Sequence, residues 1–110
     1  MLNRSAVFLA PRKPYIDWAN AVDRTGQHFV ENWQHEGATI FLVPDFQTHE
    51  EIRAHVDQNF ELIFEHYLDL WCEDQNKWPR PRTLEMFHQW FSVRIHTMII
   101  DTVGEPIRFI

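Results

Sequence analysis

Two short apolar runs, each ending at a proline, give the first indication of how this chain folds. VFLAP lies at 7–11 and IFLVP at 40–44. Short apolar runs of this kind are typical of buried strands, and proline ends a strand because it has no backbone N–H to donate. We therefore predict strands over residues 6–10 and 39–43.

A helix-compatible segment follows the first run and another precedes the second. Residues 16–22 have apolar positions at helical spacing, and Pro14 suits the first turn of such a helix. Over 27–35, Phe29 and Trp33 lie four residues apart on one helical face. Strands separated by helices are typical of βα units, and a right-handed crossover makes the first two strands parallel.

The longest predicted element is an amphipathic helix that begins after Thr48. Thr48 and Glu51 have the spacing of a capping box, in which each side chain accepts from the other's backbone. Apolar residues then recur at steps of four for about six turns, and the helix ends near Cys72. These residues are Ile52, Val56, Phe60, Phe64 and Leu68.

The segment after Arg82 predicts a short helix followed by a strand. The helix covers residues 83–90, and residues 91–100 fit either its continuation or an alternating strand. The β-branched residues Val93, Ile95 and Ile99 favour the strand. The direction of this strand is left open, and the apolar tail 107–110 is expected to dock against the domain.

Together these elements predict one α/β domain over residues 1–110. It contains a three-stranded sheet, with the first two strands parallel, flanked by helices of which one is long and amphipathic. Nine phenylalanines and five tryptophans predict a core built largely from aromatic side chains.

The charge and the apolar content narrow the classes of partner. With 10 basic and 16 acidic residues the net charge is −6, which argues against non-specific nucleic-acid binding. Cys72 is the single cysteine, so no internal disulfide can form. No apolar stretch has the length of a signal-peptide core or a membrane span, so a cytoplasmic location without membrane attachment is expected.

Polar residues after the strand ends form one candidate ligand site. In an open parallel sheet, ligands bind beyond the carboxyl ends of the strands. Arg12 and Lys13, then Asp45, then Asp101 occupy these positions, and Arg82 and Glu85 could complete the site. The alternative is that these are ordinary solvated loop residues.

A second candidate is a protein-contact surface on the long helix. Asp57, Glu61, Glu65 and Asp69 recur at steps of four and could receive a basic partner. The alternative is a solvated face neutralised in part by arginines such as Arg82. Trp78, in a connector rich in proline and arginine, is either an exposed contact anchor or a lid folded over the core.

No motif predicts a cofactor, a metal site or a catalytic residue. Glu85 and His88 have the spacing of a di-iron ligand pair, but such a site needs a second pair on another helix. Ser5 and Ser92 lack the context of a nucleophile elbow, and Cys72 lies at an apolar helix end.

Several blocks resemble a family of small, acidic bacterial proteins with no known activity. They are NRSAV at 3–7, PYIDW at 14–18, WP at 78–79, RTLEMF at 82–87 and WF at 90–91. The resemblance implies a bacterial cytosolic protein and transfers no catalytic residue.

The sequence therefore predicts a non-enzymatic binding or regulatory module that acts through protein contacts. The surplus of large aromatic side chains predicts self-association, with a homodimer as one form. The alternative is a small enzyme or ligand binder that uses the residues at the strand ends.

Overall fold

The computed structural model describes residues 2–22, 39–45 and 47–110 of the chain. Within these ranges it has three strands and four α-helices, with a 3₁₀ turn at Gln75–Lys77. The elements in chain order are β1 (Arg4–Pro11), α1 (Lys13–Val22), β2 (Phe41–Pro44), α2 (His49–Gln58), α3 (Phe60–Asp69), α4 (Leu84–Trp90) and β3 (Phe91–His96).

The sheet is antiparallel throughout, with β1 in the centre and strand order β2-β1-β3. Ser5 lies opposite Val43 on one side of β1, and Phe8 lies opposite Arg94 on the other. The prediction that the first two strands run parallel is therefore wrong. A continuous apolar run indicates a strand with most of its residues buried, as in β1, but such a strand can be the centre of either kind of sheet.

The start of the long helix is as predicted, but the helix is divided into α2 and α3. The backbone N–H of Glu51 donates to the Thr48 hydroxyl at 3.1 Å, which forms the predicted cap. Asn59 separates the two helices at φ −113° and ψ 17°, and its side-chain amide donates to the carbonyl of His55 at 2.8 Å. A short polar side chain that bonds its own preceding turn competes with the helical backbone, which explains the break.

The segment from Thr83 to His96 changes from helix to strand without a loop. Thr83 caps α4 by accepting from the N–H of Met86, as the helix predicted over 83–90 requires. Phe91 is the first residue of β3 and still donates its N–H to the carbonyl of Phe87. The strand predicted after residue 90 is confirmed over Phe91–His96, and the continuing helix is excluded.

The core lies between one face of the sheet and the helices, and aromatic rings make up much of it. The five largest fully buried side chains are Tyr15, Tyr67, Phe64, Phe87 and Phe91. Trp71 and Trp90 are half-buried against this cluster. The aromatic core expected from composition is confirmed for the residues that the structure describes.

Two buried tyrosines join α3 to the rest of the fold. Tyr15 on α1 donates its hydroxyl to the carbonyl of Tyr67 at 2.5 Å, near the end of α3 where carbonyls lack helical partners. The Tyr67 hydroxyl accepts from the N–H of Leu9 at 3.4 Å and donates to the carbonyl of Thr39 at 3.3 Å. Extending the β1–β2 register puts Leu9 opposite Thr39, so this hydroxyl takes the place of the next ladder bond.

The other predicted elements have different outcomes. The helix at 16–22 is confirmed within α1, whereas the helix predicted over 27–35 lies outside the described residues. The expectation that the tail 107–110 docks is wrong for this chain alone, since Ile107, Phe109 and Ile110 are exposed. Among the described residues, no helix combines the length and apolar character that a membrane span requires.

Candidate functional site

The residues predicted at the strand ends lie at opposite ends of the sheet. Arg12 and Lys13 follow the last residue of β1, whereas Asp45 follows β2 beside the start of β1. Asp101 is also near that second end, because Leu2 donates its N–H to Ile99. The crevice expected from parallel strands is therefore not formed by these four residues.

The remaining members of that predicted set are also separate. Lys13 forms an exposed ion pair with Asp17 at 2.6 Å, and pairs of this kind contribute little to stability. Arg82 forms an ion pair with Glu65 at 2.9 Å, and Glu85 is exposed in the first turn of α4.

The acidic stripe on α2 and α3 is partly occupied by intramolecular contacts. The Asp57 carboxylate forms a hydrogen bond with the His88 ring at 2.9 Å, and Glu65 forms an ion pair with Arg82. The break at Asn59 falls between Asp57 and Glu61. Glu61 and Asp69 are exposed to solvent, and neither forms an ion pair with another described residue, so these two of the four predicted contact residues face outward.

Trp78 is half-buried against the core cluster. Its indole N–H donates to the carbonyl of Cys72 at 2.7 Å, and the Arg82 guanidinium lies 5.8 Å from the centre of its ring. These contacts hold the ring over the end of α3. Of the two predicted roles for Trp78, its position agrees with the lid and not with the exposed anchor.

The histidine and carboxylate positions do not assemble into a metal centre within the described ranges. No group of three or more histidine, cysteine, aspartate or glutamate side chains lies close enough together there to hold an ion. His88 pairs with Asp57 rather than with Glu85 of its own helix.

A different feature, an open groove of about 550 Å³, follows the outer edge of β3. The groove has two walls, and the pairing of β3 with β1 shows which face of the sheet each wall belongs to. We call this feature the β3 groove. Its outer wall, on the face opposite the core, consists of Phe8, Ala10, Arg94 and His96, and its inner wall consists of His49, Arg53, Val93 and Ile95.

Local sequence explains how each wall is built. Alternation along β3 puts Arg94 and His96 on one face and Val93 and Ile95 on the core face. The buried residues Ile52 and Val56 hold α2 on the core side, which brings His49 and Arg53 of the same helix to the groove. On the outer wall the rings of Phe8 and His96 stack with centroids 5.5 Å apart.

The polar side chains that the described residues contribute to the β3 groove are two arginines and two histidines. No carboxylate of the described residues is among them. No ion pair joins Arg53 or Arg94 to a carboxylate among the described residues. In a chain with a net charge of −6, this groove is a local site of positive potential.

The backbone along this groove also has unused hydrogen-bonding groups. Arg12 donates its N–H to the carbonyl of Trp90 at 2.8 Å, which identifies the even-numbered residues of β3 as those bonded to β1. The N–H and C=O groups of Val93 and Ile95 therefore point away from β1. No bond from the described part of the chain reaches them.

Sequence reasoning did not identify the β3 groove. The alternation of residues along the third strand indicates that Arg94 and His96 share a polar, less covered face. Nothing in the sequence indicates that α2, some forty residues earlier in the chain, places Arg53 beside them.

Comparison of the chain with protein-family models, curated proteins and solved structures finds no match. The resemblance to small acidic bacterial proteins therefore remains an expectation from the sequence blocks.

Proposed function

We propose that this protein is a non-enzymatic binding module that takes up an extended, acidic segment of a protein along the free edge of β3. The observation that carries the proposal is a coincidence: strand backbone that no described residue pairs with lies along a groove whose described polar side chains are two arginines and two histidines. In strand addition, backbone hydrogen bonds provide affinity and alternate side chains provide specificity.

The two walls account for both parts of this recognition. An added strand would bond to Val93 and Ile95, and its side chains would point alternately to the inner and outer walls. An acidic side chain on the inner side meets Arg53, and one on the outer side meets Arg94. The groove can therefore recognise acidic side chains on both faces of the added strand.

The same charges limit what can bind. Charged side chains on an edge strand disfavour pairing with neutral or basic strands, because an arginine would then lose water without gaining a partner. Arg94 occupies such a position on β3. The described lining places two arginines beside apolar strand residues, which suits recognition of carboxylates and supports a binding role.

The proposal predicts selective binding of a simple probe peptide. A fluorescein-labelled octapeptide with the repeat Glu-Glu-Val-Val presents glutamate on both faces of an added strand, and its fluorescence anisotropy is expected to rise when the protein is added. The corresponding lysine–valine peptide is not expected to respond. The double variant Arg53→Ala, Arg94→Ala should weaken binding about 10-fold, because two exposed charge pairs contribute roughly 0.4–2 kcal/mol in total. Added salt should weaken the wild-type complex as well.

Arg80→Ala is the matched control, since Arg80 is exposed, donates to the carbonyl of Gln75 and lies outside the groove. Its affinity for the peptide should equal that of the wild type. Equal binding of the glutamate and lysine peptides would contradict the proposal. Loss of binding in Arg12→Ala, with no loss in the double variant, would favour the strand-end site instead.

A further inference from the structure

The tail that follows β3 exposes apolar side chains that nothing in the described chain covers. Leu2 donates its N–H to the carbonyl of Ile99 at 2.8 Å, and no later residue makes a backbone bond to the rest of the described fold. Val103 and Ile107 are about two-thirds exposed, and Phe109 is fully exposed. A contiguous set of exposed apolar side chains marks an interaction site.

The tail has a consistent two-faced pattern when extended. Side chains at odd positions share one face of a strand. That face carries acidic and apolar groups, whereas Arg108 belongs to the opposite face. The odd-numbered residues are Asp101, Val103, Glu105, Ile107 and Phe109.

This face matches the inner wall of the β3 groove in both chemical respects. The inner wall combines apolar Val93 and Ile95 with basic Arg53 and His49. Carboxylates of the tail can therefore meet the basic side chains while its apolar side chains cover the strand. The pattern favours this wall over the outer one, whose strand residues Arg94 and His96 are both polar.

The proline in the tail fits the outer position of an added strand. When odd-numbered residues bond to β3, the backbone groups of even-numbered residues point outward, and Pro106 has no N–H to leave unpaired there. Such a strand would also resist addition of a further one, because Pro106 offers no donor.

We propose that residues 101–109 of a second copy occupy the β3 groove, so that two chains exchange tails about a two-fold axis. This inference rests on the proposed function and names its ligand. Reciprocal exchange uses both tails and both grooves, so the assembly closes as a dimer. A tail that turned back onto its own β3 would have only residues 97–100 for the reversal, and this segment (TMII) contains neither the glycine nor the asparagine that tight hairpin turns favour.

Sedimentation velocity over a micromolar concentration series tests the exchange in the full-length chain. The wild type is expected to be dimeric. The double variant Ile107→Asn, Phe109→Asn should raise the dimer dissociation constant at least ~100-fold, because two apolar contacts are lost. Ile110→Asn is the matched control: Ile110 is equally exposed but lies on the opposite strand face, so its dimer should persist.

The glutamate–valine peptide separates failure of this inference from failure of the proposed function. The peptide should bind the Ile107→Asn, Phe109→Asn chain more tightly than the wild type, since no tail competes for the groove. A monomeric wild type that binds the peptide through Arg53 and Arg94 would overturn tail exchange and leave the binding function standing. If the Ile107→Asn, Phe109→Asn chain does not bind the peptide, both tail exchange and the proposed binding function are overturned.

Discussion

Replacing Phe91 by alanine is expected to lower the free energy of unfolding by about 3–5 kcal/mol, a large part of the roughly 5–15 kcal/mol available to a domain of this kind. Phe91 is 1% exposed and joins α4 to β3. Its ring lies 5.0 Å from that of Tyr15, 5.2 Å from Tyr67 and 5.4 Å from Phe64. Truncation would leave a cavity among rings that belong to α1 and α3.

Urea denaturation, followed by circular dichroism at low protein concentration, measures this loss. Leu62→Ala is the control, because Leu62 lies on α3 but is 69% exposed, and its substitution should change the unfolding free energy little. A loss below about 1 kcal/mol in Phe91→Ala would mean that the aromatic cluster is not the main support of the fold.

The second large effect is a steep loss of stability at alkaline pH. Burial raises the pKa of Tyr15 above its ordinary value of 10.0, and the neighbouring Tyr67 raises it further. Burial also raises the pKa of Tyr67, although the hydrogen bond from the N–H of Leu9 opposes this in part. Both side chains are fully buried, so neither phenolate is accommodated in the folded chain.

The sign follows from proton binding in the two states. Above pH 10 the unfolded chain loses its tyrosine protons while the folded chain retains them, so rising pH favours unfolding. The contribution is complete below pH 10 and is lost as the pH rises from there toward the folded pKa. Each tyrosine can contribute a slope of up to about 1.4 kcal/mol per pH unit in this window.

Urea unfolding at a series of pH values from neutral to strongly alkaline measures the slope. Tyr15→Phe is the informative comparison. It removes the hydrogen bond to the Tyr67 carbonyl and should lower stability at neutral pH by about 1 kcal/mol, yet its alkaline slope should be shallower than that of the wild type. Equal slopes in the two proteins would show that Tyr15 does not retain its proton through burial.

The elements that could be predicted from the sequence are those specified by neighbouring residues. The Thr48 and Thr83 caps depend on contacts three residues away, and both are formed. Alternation over Val93 and Ile95 distinguished a strand from a helix because β-branched residues and period-two spacing indicate the same structure.

Features set by distant parts of the chain could not be predicted in this way. Strand direction depends on which residues pair, such as Val7 with Phe41 and Ile95, and an apolar run contains no such information. The break at Asn59 depends on one side chain bonding the preceding turn in an otherwise regular apolar pattern.

The separation of the predicted strand-end residues has the same cause. The prediction placed Arg12 and Asp45 together because parallel strands end at one edge, whereas the antiparallel sheet separates them. The β3 groove, in contrast, combines residues from β1, α2 and β3 that share no local motif. Arg53 and Arg94 line the same groove only because α2 packs beside β3.

Amide hydrogen exchange at Val93 and Ile95 tests the central claim that a strand adds at this edge. The measurement uses the Ile107→Asn, Phe109→Asn chain with and without the glutamate–valine peptide. If a strand adds at this edge, the peptide slows exchange at these two amides in proportion to occupancy, while the amide of Arg94, already paired with Phe8, is unchanged. Unaltered exchange at Val93 and Ile95 under saturating peptide would rule out strand addition there.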